Sequence, residues 1–409
     1  MTTGPYNAPP SVARWQRLAL MVGGIFTLLL ALGFFVNRDQ FFHSYLFAFS
    51  FWAGISIGSL ALLMLQHLTG GGWGLVIRRV LEAATRTLPL ILILFVPLVL
   101  GAHHLYSWTH EEVLAESPVL REKAKYLNVS FFTVRAAIYF AIWLGLAFFL
   151  NRWSLAQDRT ADRQLVKRMR VLSGPGMVLV IFTVTFASID WFMSLDPEWS
   201  STIYGFLFVA AWSLSALAFT VAAMAALAKD EPMHNIVAQL HFHDLGKLLL
   251  ALVMLWAYFA FSQFLIIWSG NLPEEIRWYL PRTHGTWGAI ALAVVVLHFA
   301  FPFLFLLSRS LKRNAGKLVI VAILILFMRL VDLFWMIAPN FTHEYFRVSW
   351  MDLVAPIAFG GLWLGLFARE LQQRPLIPIN DPLYETVLEQ KAAHVEHQEQ
   401  DREAAVARP

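Results

Sequence analysis

The sequence predicts an all-α integral membrane protein with about ten transmembrane helices, and two observations carry that prediction. Hydrophobic residues make up 58% of the 409, with a mean hydropathy of +0.60, whereas soluble domains run at about 45–50% apolar. The apolar runs are helix length rather than alternating segments of about ten residues, so backbone amides deprived of water bond within helices and not in a closed barrel.

Crossing a hydrocarbon layer of about 30 Å takes roughly 20 helical residues. Runs of that length, bounded by charge or proline, fall near 18–36, 43–67, 84–103, 131–150, 176–195, 202–228, 246–268, 285–308, 317–338 and 351–370. The first follows Arg14 and Arg17 and reads as a retained helix, because residues 1–10 lack the basic region and cleavage site of a signal peptide. The second carries Gly54 and Gly58, a GxxxG helix-packing signal. Residues 104–130, with Trp108, Glu111, Glu112 and Arg121, form the longest connector and suit a solvated loop or a short surface helix. The spans define a membrane domain over 1–371. The polar stretch 372–409 is expected on the surface or docked to a neighbour, with His394 and His397 as weak metal-ligand candidates.

With ten spans both ends share a side, and most of the 31 Lys and Arg residues lie there, including Arg78, Arg79, Arg86 and the loops 151–174 and 309–317. The positive-inside rule makes that side cytoplasmic. The net charge of +4 comes from these loops and not from a basic stripe interleaved with aromatics, which argues against nucleic acid as a partner. No GxxxxGK[ST] phosphate loop is present, which argues against ATP-driven transport. Most of the 16 tryptophans fall near span ends, as interfacial belts require. With no cysteine, this chain supplies no thiolate to zinc or an iron–sulfur cluster and attaches no haem c.

An ionisable side chain inside a span is costly and is a functional candidate by default. Arg329 and Asp332, three residues apart, share a helix face and suit an ion pair, either structural or in contact with a proton or a quinone headgroup. Asp190 lies in an apolar run between Ile189 and Trp191 with no local structural account, whereas Asp196, before Pro197, reads first as the N-cap of the helix that follows and only second as a site. His241, Asp244 and Lys247 crowd the cytoplasmic edge of the seventh span. They suit proton entry, or else Asp244 caps the helix and Lys247 snorkels. Tyr258, Ser262 and Gln263 offer neutral relay positions or interhelical hydrogen bonds.

His103, His104, Arg135, His284 and Asp352 fall on the outer side. With Asp190, Arg329 and Asp332 they would form one outer polar cluster if their helix faces converge. His67 and His298 fall in the inner half; ordinary hydrogen-bonded histidines are the simpler account of them than a b-type haem pair. Pro89, Pro97 and Pro302 interrupt spans without recurring at matching positions in two halves, so the inverted repeat of a secondary transporter is not evident.

Several motifs, in order, resemble a known family. They are Phe51-Trp52-Ala53-Gly54 with His67-Leu68-Thr69-Gly70-Gly71, Asp190-Trp191-Phe192-Met193-Ser194-Leu195-Asp196-Pro197, and His243-Asp244-Leu245-Gly246-Lys247. Trp256-Ala257-Tyr258, Ser262-Gln263-Phe264 and Asn271-Leu272-Pro273-Glu274-Glu275 complete the set. The chain resembles, over most of its length, the polysulfide-reductase or NrfD-type membrane subunits. Within that family it is more similar to the ActF type, the shorter of two paralogous large subunits of bacterial alternative complex III.

The resemblance implies two four-helix bundles, about 43–195 and 202–338, flanked by helices 18–36 and 351–370, in a bacterial inner membrane. It implies a complex that oxidises menaquinol near the outer face and passes electrons to cytochrome c or a terminal oxidase. The implied partners are the paralogous NrfD-type subunit, an iron–sulfur subunit and multihaem cytochrome c subunits, which would hold the haem c and the iron–sulfur clusters. This chain would carry no redox cofactor. Asp190, Asp196, His241, Asp244, Lys247, Tyr258, Ser262, Gln263, His298, Arg329, Asp332 and Asp352 would then serve proton movement, and His103, His104, Arg135 and Asp190 would contact a menaquinone headgroup. The competing expectations are a secondary transporter and a structural anchor for soluble redox subunits.

Overall fold

A computed structural model describes residues 6–342, 346–389 and 391–392. Among the described residues, ten helices are long and apolar enough to cross a membrane: α1 (Pro10–Val36), α2 (Arg38–Thr69), α3 (Gly72–Leu100), α4 (Val129–Thr160), α5 (Arg163–Leu195), α6 (Tyr204–Leu227), α7 (Gln239–Gly270), α8 (Gly285–Leu307), α9 (Ala315–Asn340) and α10 (Trp350–Gln372). No strand occurs among the described residues. The protein is an all-α, multi-pass membrane protein.

Each sequence-derived span lies on one of these helices, and most helices are longer than their apolar runs. The 151–174 loop is helix except at its middle: α4 ends at Ala161, whose φ of 53° reverses the chain, and the Asp162 side chain caps α5 by accepting from Gln164 N. The larger correction is α3. It starts at Gly72 and not near residue 84, so Arg78 and Arg79 are not loop charges but buried helical residues, each about 1–2% exposed. Hydropathy registers their charge and cannot register their partners.

Helix α2 is the structural centre. It packs on α3 and α5 in the first half of the chain and on α6 and α10 in the second, while α6 packs on α5, α7 and α9. The GxxxG signal is borne out: Gly54 and Gly58 face Trp212 of α6, and a Cβ at Gly58 would overlap the Trp212 carbonyl. Helices α1 and α10 pair along their length, and Gly23 and Gly361 let the two backbones touch. Several tryptophans are not in interfacial belts. Trp143, Trp191, Trp212 and Trp363 are core residues, and the indoles of Trp143 and Trp363 donate to Thr183 and Ser56 at 2.8 Å.

The 104–130 connector folds into two short helices, Glu111–Glu116 and Pro118–Lys123. The start of the polar tail docks on the chain itself. Leu376, Ile377 and Val387 are buried, Leu376 N donates to Tyr6 O at 2.8 Å, and the Tyr6 and Tyr384 hydroxyls share a 2.9 Å hydrogen bond. His394 and His397 lie outside the described residues.

Candidate functional site

The sequence candidates do not form one outer cluster. The structure divides them between two buried polar centres and a set of rim contacts, and it adds a charge network that sequence reasoning missed.

The first centre joins α4 to α5. Asp190 is fully buried near the C-terminal end of α5 because the apolar run around it packs inward: Trp191 beside it meets Phe95, Phe140 and Trp143. Arg135 donates from Nε to Asp190 Oδ2 at 2.8 Å and from Nη2 to Oδ1 at 2.9 Å, and the Tyr139 hydroxyl donates to Oδ2 at 2.8 Å. The remaining Arg135 nitrogen, Nη1, donates to Tyr126 O, and the Tyr126 ring lies 3.8 Å from the guanidinium. A planar fork on a carboxylate is the strongest geometry such a pair can take. Both Asp190 oxygens and every Arg135 nitrogen are engaged, so neither residue presents an unused polar atom to a quinone headgroup.

The second centre lies midway along α7, α8 and α9. Arg329 and Asp332 form the ion pair expected from their spacing. Opposite stands His298, fully buried on a π-helical segment, Val294–Ala300, that follows regular helix and ends just before Pro302. Its ring meets Trp256 edge-on at 4.4 Å. The Trp256 indole stands against Asp332, whereas both His298 ring nitrogens and Nε and Nη2 of Arg329 have no hydrogen-bond partner among the described residues. Buried polar atoms are nearly always paired, so four unmatched nitrogens at one place mark a centre suited to a further polar group. Single-turn π segments recur at functional sites.

An aromatic partition separates the two centres. Phe192, two residues from Asp190, stacks on Phe208 at 4.7 Å, and Phe208 in turn lies 5.9 Å from the Arg329 guanidinium.

The other candidates have local tasks. Asp352 accepts from Ser44 at 2.6 Å, Gln40 at 3.2 Å and Ser349 N at 2.8 Å, which caps α10 and ties it to α2. Asp196 caps no helix; it pairs with Arg277 at 3.3 Å. Asp244 does not cap α7 either. It pairs with Lys247 at 3.0 Å on the surface, while the His241 ring accepts from Ala238 N at the helix start. The relay on α7 does not form: Tyr258 is 64% exposed, pointing away from the bundle, Ser262 is half-buried, and Gln263 is buried, accepting from Ser201 and donating to Tyr279.

On the side away from the chain termini, His104 bonds Asp39 at 2.6 Å, the His103 ring lies 3.9 Å from that of His110, and His284 bonds Leu280 O. Glu198 accepts from Ser117 at 2.8 Å and from Arg277, and these bonds, that of Arg277 first, hold its carboxyl below the usual range.

Sequence reasoning missed two features. Arg282 is buried at the start of the α7–α8 hairpin's return, stacked 3.8 Å from the Trp278 ring and donating to Trp278 O and Met336 O. Burial pushes its pKa down to about 9. The second is a network on the side of the chain termini, where Arg78, Arg79 and Arg374 meet Glu82, Asp158 and Asp381. Arg78 bonds Glu82 at 3.1 Å and Asp381 at 2.6 Å, and Ser154 and Gln157 of α4 satisfy its third nitrogen. Three cations against three carboxylates leave the buried network neutral. The i, i+3 and i, i+4 spacing of Arg78, Arg79 and Glu82 was the signal that could have found it.

Comparison with protein-family models and with curated proteins found no match to this chain.

Proposed function

We propose that this chain is the cofactor-free membrane subunit of a bacterial quinol-oxidising complex, moving protons across part of the membrane and docking redox subunits at its outer face. The observation that carries the reading is the unmatched polar centre of His298 and Arg329 beside Asp332 and Trp256, buried midway through the second half of the bundle. Groups able to gain and lose protons in a low dielectric are what such transfer needs, and structural ion pairs such as Arg135–Asp190 leave no such atoms spare. The ordered motif resemblance supplies the electron-transfer setting, with haem c and iron–sulfur clusters on partner subunits.

Within this reading the second centre is the proton-handling site. His298 accepts and releases the proton, and the Arg329–Asp332 pair sets the local charge. His103 and His104, at the outer rim, are the candidates that remain accessible to a menaquinol headgroup. A secondary transporter is disfavoured, because the π segment of α8 has no counterpart in α4, the third helix of the first half.

The test uses His298→Gln, which removes the titrating ring without breaking a hydrogen bond among the described residues. In membranes of the native host, the variant should slow quinol-dependent acceptor reduction, or its proton release, at least tenfold. Mild detergent extraction should bring haem-bearing and iron–sulfur subunits with the chain. Unchanged turnover and proton release would remove the site assignment, and a lone polypeptide would remove the complex.

A further inference from the structure

A cleft of about 500 Å³ opens on the side of the chain termini, lined by Gln239, Arg309, Ser310, Arg313 and Asn314. We infer that it binds the phosphate of an acidic phospholipid headgroup. The site is built, not a loose loop. Residues Arg309–Arg313 form a short helix capped by Ser308, and its Lys312 packs its stem into the space left by Gly246 on α7. Arg309 and Arg313 are four residues apart and so project from one face. Neither has an ion-pair partner among the described residues; the nearby Asp244 is taken by Lys247. Two guanidinium groups with a hydroxyl and two amides match the donor demand of a phosphodiester, which guanidinium binds through paired N–H groups.

The surroundings select a lipid over a soluble anion. The helix that leads into the cleft ends in lipid-facing Leu304 and Leu307, and Ile320 follows on α9, exposed by 63%, 55% and 68%. The arginines therefore stand one to two turns beyond apolar surface that must meet acyl chains, which is the depth of the headgroups. Basic pockets between helices at this level are where anionic headgroups bind.

The experiment is native mass spectrometry of the full chain, extracted with its partners and exchanged into nanodiscs of phosphatidylcholine containing a minority of phosphatidylglycerol. The wild type should retain phosphatidylglycerol over phosphatidylcholine. R309Q/R313Q should lower that retention by roughly thirtyfold, at about fivefold for each cation near the surface. R309K/R313K, which keeps the charge and loses the paired N–H groups, should retain more than R309Q/R313Q and less than the wild type, which separates loss of charge from loss of fold. R163Q/R168Q, at the start of α5 on the same side, should not change it. Equal retention of the two lipids, or an equal loss in R163Q/R168Q, overturns the assignment. Full displacement by excess inorganic phosphate assigns the cleft to a soluble anion instead, and loss of a co-purifying protein with lipid unchanged assigns it to a protein partner; either overturns the lipid site.

Discussion

Replacing Asp190 by Asn keeps the side chain's shape and removes its charge. The amide oxygen, in the place of Oδ2, can still accept from Arg135 Nε and Tyr139, but its NH₂ then faces Arg135 Nη2, so one charge-assisted hydrogen bond is lost and the guanidinium keeps no counter-charge. That bond accounts for about 1.5–3 kcal/mol, and the unpaired buried charge brings the loss to the about 3–5 kcal/mol expected when one member of a buried pair is removed. Arg135→Gln should cost at least as much, since it leaves the buried Asp190 carboxylate charged and without its two guanidinium bonds. R135M/D190L removes both charges and leaves the Tyr139 hydroxyl unmatched, a cost of about 1–3 kcal/mol.

The expected order of stability is therefore wild type, then the double variant, and last the two single variants. It is read as the midpoint of thermal aggregation in detergent, followed by size-exclusion chromatography. A double variant as unstable as the sum of the two single changes would show that the residues act independently and would refute the pairing argument. A D190N protein of wild-type stability that fails in proton release would move Asp190 from the frame of the bundle to its chemistry.

Three further outcomes follow from the same contacts. Gly58→Val should cost about 1–3 kcal/mol by forcing α2 away from the Trp212 carbonyl, seen as a lowered thermal midpoint with residue 24, which meets nothing, tolerating Ala as a control. Asp381→Ala should release the tail, because Arg78 loses its 2.6 Å partner there, and proteolysis from the terminal side should then cut beyond Gln373 several-fold faster. Glu198 has a lowered pKa in the folded protein, so its contribution is complete above its ordinary value of 4.5 and fades as pH falls through the lowered one. Proteolysis of the 111–123 helices should accordingly accelerate on acidification and be insensitive to pH between 6 and 8; acceleration at neutral pH would count against the Glu198 contacts as the clasp.

What the sequence made legible follows from the range of each interaction. Ten spans could be read because length and hydropathy are local, and the Arg329–Asp332 pair because i, i+3 spacing is local. Asp190 and Arg135 were each identifiable as candidates, but they lie 55 residues apart and only the packing of α4 on α5 makes them partners. Hydropathy failed at α3 because a charge sealed by other charges behaves as core, and it failed for the tryptophans because position along a helix does not say which face is turned inward. Tyr258 was misread for the same reason. His298 stood out as a residue, but the π segment that isolates its ring leaves no mark on the apolar pattern around it.

The docked tail has a consequence for how the protein is made. Arg78 and Asp381 are 303 residues apart, so at about 5–20 residues per second the ribosome needs roughly 15–60 s between them. Once Asp158 on α4 has been made, the two arginines of α3 face two carboxylates and balance in charge, but Arg78 Nη1 lacks its acceptor until Asp381 follows. A chain that ends before Arg374 is therefore neutral in this network and short of one buried hydrogen bond, whereas one that ends between Arg374 and Asp381 carries one excess positive charge among buried side chains.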